Sequence, residues 1–391
     1  PKAMYYLTER QQKLKKEIRE FVDAEITPQV AELDRQGIYP RELVRKITER
    51  GYCSLPFPKE LGGAGLGVTE AVIFLEEISR GMASLGLIYC AHILPCCYTV
   101  RNLVSAKQRD EWLIPAIKGE KLLTFAITEE RGGSDAFGVD TMAERREDGW
   151  LLNGSKCWIT NAGVADGYII NAKTGSSIRS RNVSLFYVDA KTPGLEVSRS
   201  EDMIGLNNSP TGTVTFNNCL LPPDALIGEE NSGYKHVKLA LNCGRLSLAA
   251  VSIGLAQSAF EHAVEFARSR GDYGRTIFSY KGVSFPIAEM YSNINLARNS
   301  LYHVAAITEA GKNATLETAS LKLFSSEMCQ KVCKDAVLIH GGRGFRSHCD
   351  IERMLRDSQL LTVAEGTSQI CKVIISNGIN NTDIDKLNDL M

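Results

Sequence analysis

The side-chain period of this chain changes twice, and few folds accommodate such a change. From residue 8 to about 122 the apolar residues recur at helical spacing, as Leu14, Ile18, Phe21, Val22, Ile26 and Val30 do, with Lys15, Lys16 and Glu17 between them. Further helical stretches fall at about 41–51, 68–81 and 106–118, separated by the Pro- and Gly-rich run 56–67. Between about 123 and 228 the runs become short and strand-like: Trp150-Leu151-Leu152, Trp158-Ile159-Thr160, Tyr168-Ile169-Ile170, 183–188 and 213–216. Asn153-Gly154, Thr192-Pro193-Gly194 and Pro222-Pro223-Asp224 bound them as turns. Helical periodicity then returns in long pieces, roughly 234–270, 283–311, 314–340 and 367–378. This α, β, α order predicts a mainly α protein with an all-α domain over 1–122 and a middle β domain over 123–233. Its short connections imply an antiparallel, barrel-like sheet, and a C-terminal four-helix bundle follows over 234–391.

Composition narrows the function classes. The 391 residues suffice for two to three domains with a large interior, and 45 basic against 46 acidic residues give no electrostatic case for nucleic acid. No apolar run is expected to approach the roughly 20 residues of a membrane span. Eleven cysteines without framework spacing suit a reducing compartment. Cys329 with Cys333, and Cys96 with Cys97, each lack the second half of a zinc site, so no metal is expected. The run 62–67 contains several glycines, but no strand precedes it and no βαβ unit surrounds it, which excludes a dinucleotide loop. The stretch 340–345 reads as a glycine turn between helices. Pro1 predicts a natural start upstream.

One carboxylate stands out as a candidate base. In the run 361–370, Glu365 follows Leu361, Val363 and Ala364 and precedes Gly366, which permits a close turn, and Thr367, Ser368 and Gln369 open a helix where a phosphate or ribose could dock.

Four segments together resemble the signatures of the acyl-CoA dehydrogenases: 126–135, 153–162, 242–245 and 364–370. The resemblance spans nearly the whole chain, beginning with the 58–63 loop and the 75–80 helix, and it has the same α, β, α order. It implies FAD bound between the β domain and the bundle. Phe125, Ile127, Thr128, Trp158 and Thr160 would line the isoalloxazine ring, Ser134 would contact the thioester arm, and Arg245 with Asn242 would clamp pantetheine. Glu365 would take the α-proton, with Ala364 and Gly366 beside the substrate and its own N–H on the thioester carbonyl. Some relatives carry the base immediately before the arginine of the bundle; here that position is Gly244.

The departures from the family pattern bear on specificity. An aromatic residue is usual where this chain has Ala364, which points to a branched, cyclic or polar acyl group. Asn242 stands where many members have Asp. The ADP arm of the flavin is gripped across a subunit interface in the family, which implies a dimer or tetramer. Arg270, Tyr273, Gly274, Gly341 and Gly342 match that grip, while Asp272, Lys281 and Leu338 replace its usual glutamines; Thr367 and Gln369 remain available to it. His92 is read as a core residue. The expected substrate is an acyl-CoA or the same acyl group on a carrier protein, and the expected electron acceptor is an electron-transferring flavoprotein, with oxygen as an alternative. A bacterial cytoplasm or a mitochondrial matrix is the expected location, and a non-catalytic scaffold is the reading from a different class.

Overall fold

The computed structural model describes residues 7–136, 138–175, 182–198, 200–382 and 384. Helix α1 (Glu9–Phe21) starts at a capping box in which Thr8 accepts from the Gln11 N–H and the Gln11 side chain bonds the Thr8 N–H. Helices α2 (Val68–Gly81) and α3 (Ala83–His92) follow, and both are buried on nearly all sides. The segment after Tyr89 is equally buried. It continues the helix as a π-helical turn, Ile93–Tyr98, whose wider ladder tolerates the missing N–H of Pro95.

Eight strands make one sheet: β1 (Leu123–Ala126), β2 (Met142–Arg146), β3 (Gly149–Thr160), β4 (Gly167–Lys173), β5 (Val183–Asp189), β6 (Leu195–Val197), β7 (Thr211–Leu221) and β8 (Leu226–Ile227). Their order is β6-β7-β3-β2-β4-β5-β8, and β1 also pairs with β4, on the edge opposite β5. Most pairs are antiparallel, as short connections demand, but the sheet is mixed. β1 runs parallel to β4, from Leu123 opposite Gly167 to Ala126 opposite Ile170, and β2 meets β4 in parallel at Met142 and Lys173. The expectation of a purely antiparallel sheet fails because β1 is paired not with its successor but with a strand about forty residues on, and a link of that length can bring the chain back in the same direction. Trp150, Tyr168, Phe186 and Phe216 fill the core of the sheet.

The C-terminal helices are α4 (Gly233–Ser269), α5 (Lys281–Glu309), α6 (Thr315–His340), α7 (Asp350–Ser358) and α8 (Ser368–Asn380). α4 is long and apolar enough, by length and composition, to cross a bilayer, contrary to expectation; 83% of its most apolar window is buried inside the protein, because α2, α5 and α6 pack around it. Helix α7, nine residues long, was not among the helices expected from periodicity.

Buried charge pins the first helical layer to the bundle. Glu76 of α2 accepts from Lys15 Nζ at 2.7 Å, Arg298 Nε at 2.7 Å and Tyr302 OH at 2.6 Å, while Glu77 takes Arg19 Nε at 2.8 Å. Burial alone would raise the Glu76 carboxyl, but Arg298 and Lys15 hold it well below the usual carboxylate range.

Candidate active site

The 3₁₀ turn Leu360–Thr362 carries the chain from α7 into Ala364, whose N–H bonds the Leu360 carbonyl at 3.0 Å. Two consecutive residues then adopt positive φ, Glu365 at +56° and Gly366 at +94°, before Thr367 caps α8 by accepting the Ile370 N–H at 3.2 Å. Glycine takes such a φ freely, but a glutamate held there costs about 1 to 3 kcal/mol and needs surroundings that enforce it. Both carbonyls of the turn are held by buried cations: Arg245 Nε donates to the Glu365 carbonyl at 3.2 Å, and Lys322 Nζ donates to the Gly366 carbonyl at 2.6 Å. Arg245 Nη1 also donates to Asn242 Oδ1 at 2.8 Å, and Asn242 Nδ2 donates to Thr315 Oγ1 at 2.9 Å. Glu365, Ala364, Gly366, Arg245 and Asn242 are therefore brought together at one turn.

Gly244 makes room for the carboxylate. A Cβ at that position would lie 2.1 Å from Glu365 Oε2, so no side chain fits there while Glu365 keeps its place. Glu365 keeps some solvent access as a residue, yet protein atoms crowd its carboxyl. Burial pushes that group up to about 7, with Arg245 and then Lys322 pulling in the other direction.

The sheet contributes a second surface. β3 slips register between Lys156 and Ile159, and inside the slip Trp158 sits at φ +58° with 61% of its surface exposed. Lys156 points the opposite way and is fully buried; its Nζ bonds Glu129 Oε1 at 2.7 Å, Asn171 Oδ1 at 2.7 Å and the Ile127 carbonyl at 3.3 Å. Burial brings the Lys156 ammonium down to about 8, against the pull of Glu129. The Cys157 N–H donates to the Thr128 carbonyl at 2.9 Å and Thr124 Oγ1 to the Thr160 carbonyl at 2.8 Å, so Phe125, Ile127, Thr128, Trp158 and Thr160 share one strip. Helix α3 lies beside both surfaces: Asn161 Nδ2 donates to the Ile88 carbonyl at 3.0 Å, and Cys90, two residues on, is within electrostatic reach of Glu365.

Other expected residues stand apart. Ser134 is exposed in the loop after β1. Arg270, Tyr273, Leu338, Gly341 and Gly342 lie at an exposed end of the bundle, with Tyr273 92% and Leu338 68% exposed, and Gln369 is exposed on α8. Lys281 Nζ lies 5.5 Å from the centroid of the Phe285 ring, and the Asp272 side chain falls outside the described residues. His92 is a satisfied core residue between the Leu123 and Ala116 carbonyls, at 3.2 and 3.0 Å. Among the described residues no three His, Cys, Asp or Glu side chains could hold a metal, and the cysteines are free.

Sequence reading missed Lys322, Lys156, Glu129 and Asn161 as parts of the site. A signal for Lys322 existed: it shares the helical stripe of Thr318, Ser325 and Cys329, all buried.

A large indole held outward in a strained conformation beside Phe125 and Ile127, with backbone polar groups along its edge, suits a flat aromatic ligand with one polar rim. A carboxyl poised near neutrality faces the same helix. Fold and site together define a flavin-dependent oxidoreductase. The acyl-CoA dehydrogenase N-terminal, middle and C-terminal domain families match residues 8–120, 124–219 and 231–379. The chain is 35% identical to a caffeyl-CoA reductase–Etf complex subunit of Acetobacterium woodii, over 95% of this chain and 98% of that protein. Butyryl-CoA dehydrogenase from Megasphaera elsdenii superposes with a TM-score of 0.93 at 31% identity, covering 96% of this chain and 99% of that one. A prolyl acyl carrier protein oxidase superposes at 0.92 with 26% identity, covering 95% and 99%. The chain belongs to the acyl-CoA dehydrogenase family, and it is an FAD-dependent acyl-CoA dehydrogenase.

Proposed function

We propose that this protein dehydrogenates an acyl-CoA thioester between its α and β carbons, with Glu365 as the base. The observation that carries the reading is the Glu365 carboxyl, raised to about 7 by burial and given its space by Gly244. A thioester α-C–H is a weak acid, so its removal needs a base matched to the working pH and a donor for the developing enolate oxygen. The Glu365 N–H has no partner among the described residues and is free to donate to that oxygen. Arg245 and Asn242 hold the pantetheine arm, Ser134 meets the thioester, and Ala364 and Gly366 flank the acyl group. FAD, when bound, would supply the hydride acceptor for the β-hydrogen, and Glu365 would take the α-proton.

Phe125, Ile127, Thr128, Trp158 and Thr160 would hold the flavin ring, with Thr367 and Gln369 nearer its phosphates. Arg270, Tyr273, Leu338, Gly341 and Gly342 would reach the ADP arm of a second copy's flavin; their exposure in a single chain supports a homodimer or homotetramer. The domains run 1–122, 123–233 and 234–391. The methyl of Ala364 leaves room for a branched, cyclic or polar acyl group. An electron-transferring flavoprotein takes the electrons, a reading supported by the relative named as part of an Etf complex. A second reading puts the acyl group on a carrier protein, as the name of one structural neighbour suggests. A bacterial cytoplasm, or a mitochondrial matrix, suits the free cysteines.

Anaerobic mixing with a panel of acyl thioesters tests the base. Glu365→Gln should keep its FAD but bleach roughly 10² to 10⁴ times more slowly than the parent protein. Bleaching at the parent rate would remove Glu365 from the chemistry.

A further inference from the structure

Lys322 lies wholly inside the protein on α6, on the stripe it shares with Thr318, Ser325 and Cys329. Burying an ammonium is costly unless an anion accompanies it, yet among the described residues no carboxylate lies within ion-pair distance of Nζ. The acceptor that Nζ does reach is the Gly366 carbonyl, at 2.6 Å. The preceding carbonyl, that of Glu365, is held by Arg245, so two cations from two helices grip successive peptide groups of one strained turn. Besides Lys322, the Gly366 carbonyl meets the Cys371 thiol at 3.8 Å, a much weaker partner, so the ammonium is the main hold on the second peptide of the turn.

We propose that Lys322 is a positioning residue that, together with Arg245, locks the Glu365–Gly366 turn so that the carboxylate and the Glu365 N–H face the substrate at once. This rests on Glu365 being the base. The charge of Lys322 acts on the same carboxyl. The groups facing Glu365 are Arg245 and Cys243 from α4, Cys90 from α3 and Lys322 from α6, and of these the two cations lower it. Removing one should move it further up.

Three variants separate the bond from the charge. Lys322→Met removes both, Lys322→Gln keeps a donor without charge, and Lys322→Arg keeps charge and donors. Each would be followed by anaerobic flavin bleaching against pH, by melting temperature, and by infrared titration of the Glu365 carboxyl band, assigned by its loss in Glu365→Gln. In Lys322→Met bleaching at pH 7 should slow roughly 10- to 100-fold, KM should change much less, and the acid limb should move up by about one pH unit. Lys322→Gln should show the shifted limb with a smaller loss of rate, and Lys322→Arg should recover most of both. A folded, yellow Lys322→Met with the parent's rate and limb overturns the proposal, as does equal loss in all three variants with an unmoved carboxyl band. Should Lys322→Met not fold, Lys322→Gln carries the test, and an unmoved limb in it is the overturning result. Normal bleaching in Glu365→Gln would instead sink the base assignment.

Discussion

At the scale of single residues, the site depends on what is missing at position 244. Alanine is the better helix former by roughly 1 kcal/mol, so Gly244→Ala would ordinarily stabilise a helix such as α4. Here the added methyl would meet Glu365 Oε2 at 2.1 Å and displace the carboxylate. We expect Gly244→Ala to retain fold and flavin while losing about 10²-fold or more in bleaching rate, because a displacement of about 1 Å costs that much; stopped-flow absorbance with a melting curve checks both parts. Glu365, Arg245 and Asn242 were legible in the sequence because each lies in a short local signature. Lys322 was not, since its role depends on α6 passing beneath a turn 44 residues further along the chain. Lys156 stood within a recognised segment, but its partners Glu129 and Asn171 come from elsewhere in the sheet domain, where only the folded chain brings them together.

At the scale of elements, the end of β3 behaves as one device with two faces. The register slip sends Trp158 outward and Lys156 inward, and the buried ammonium then holds the 127–129 segment through Ile127 and Glu129. Lys156→Met would leave the Glu129 carboxylate without its cation, although the Asp140 and Thr141 N–H groups still bond it, at 2.6 and 3.1 Å. Breaking a buried pair in this way costs about 3 to 5 kcal/mol. The variant should melt lower and release FAD more readily, which fluorescence of the freed flavin would report. The long helices were legible from their periodicity, α4 among them, whereas the parallel pairing of β1 with β4 leaves no mark in local periodicity and was not.

At the scale of the whole molecule, the helical layers are fastened through Glu76 and Glu77. Glu76 lies well below its ordinary range, so its stabilising effect is complete above the unfolded carboxylate value and is lost as pH falls through the folded one. The protein should therefore lose stability progressively below about pH 4.5, the ordinary carboxylate value. Glu76→Gln, which leaves Lys15 and Arg298 buried without their carboxylate, should cost about 3 to 5 kcal/mol at neutral pH and flatten part of that acid dependence. Denaturant titrations at several pH values measure both effects.

The mutual exclusion of a side chain at 244 and the carboxylate of Glu365 also constrains how this chain can change over time. A descendant that placed its acid at position 244 would have to turn the Glu365 carboxylate out of its present place at the same step, so the two positions cannot both present an acid in the geometry seen here. The side chain of the turn is thus conditional on the absence of a side chain on the helix.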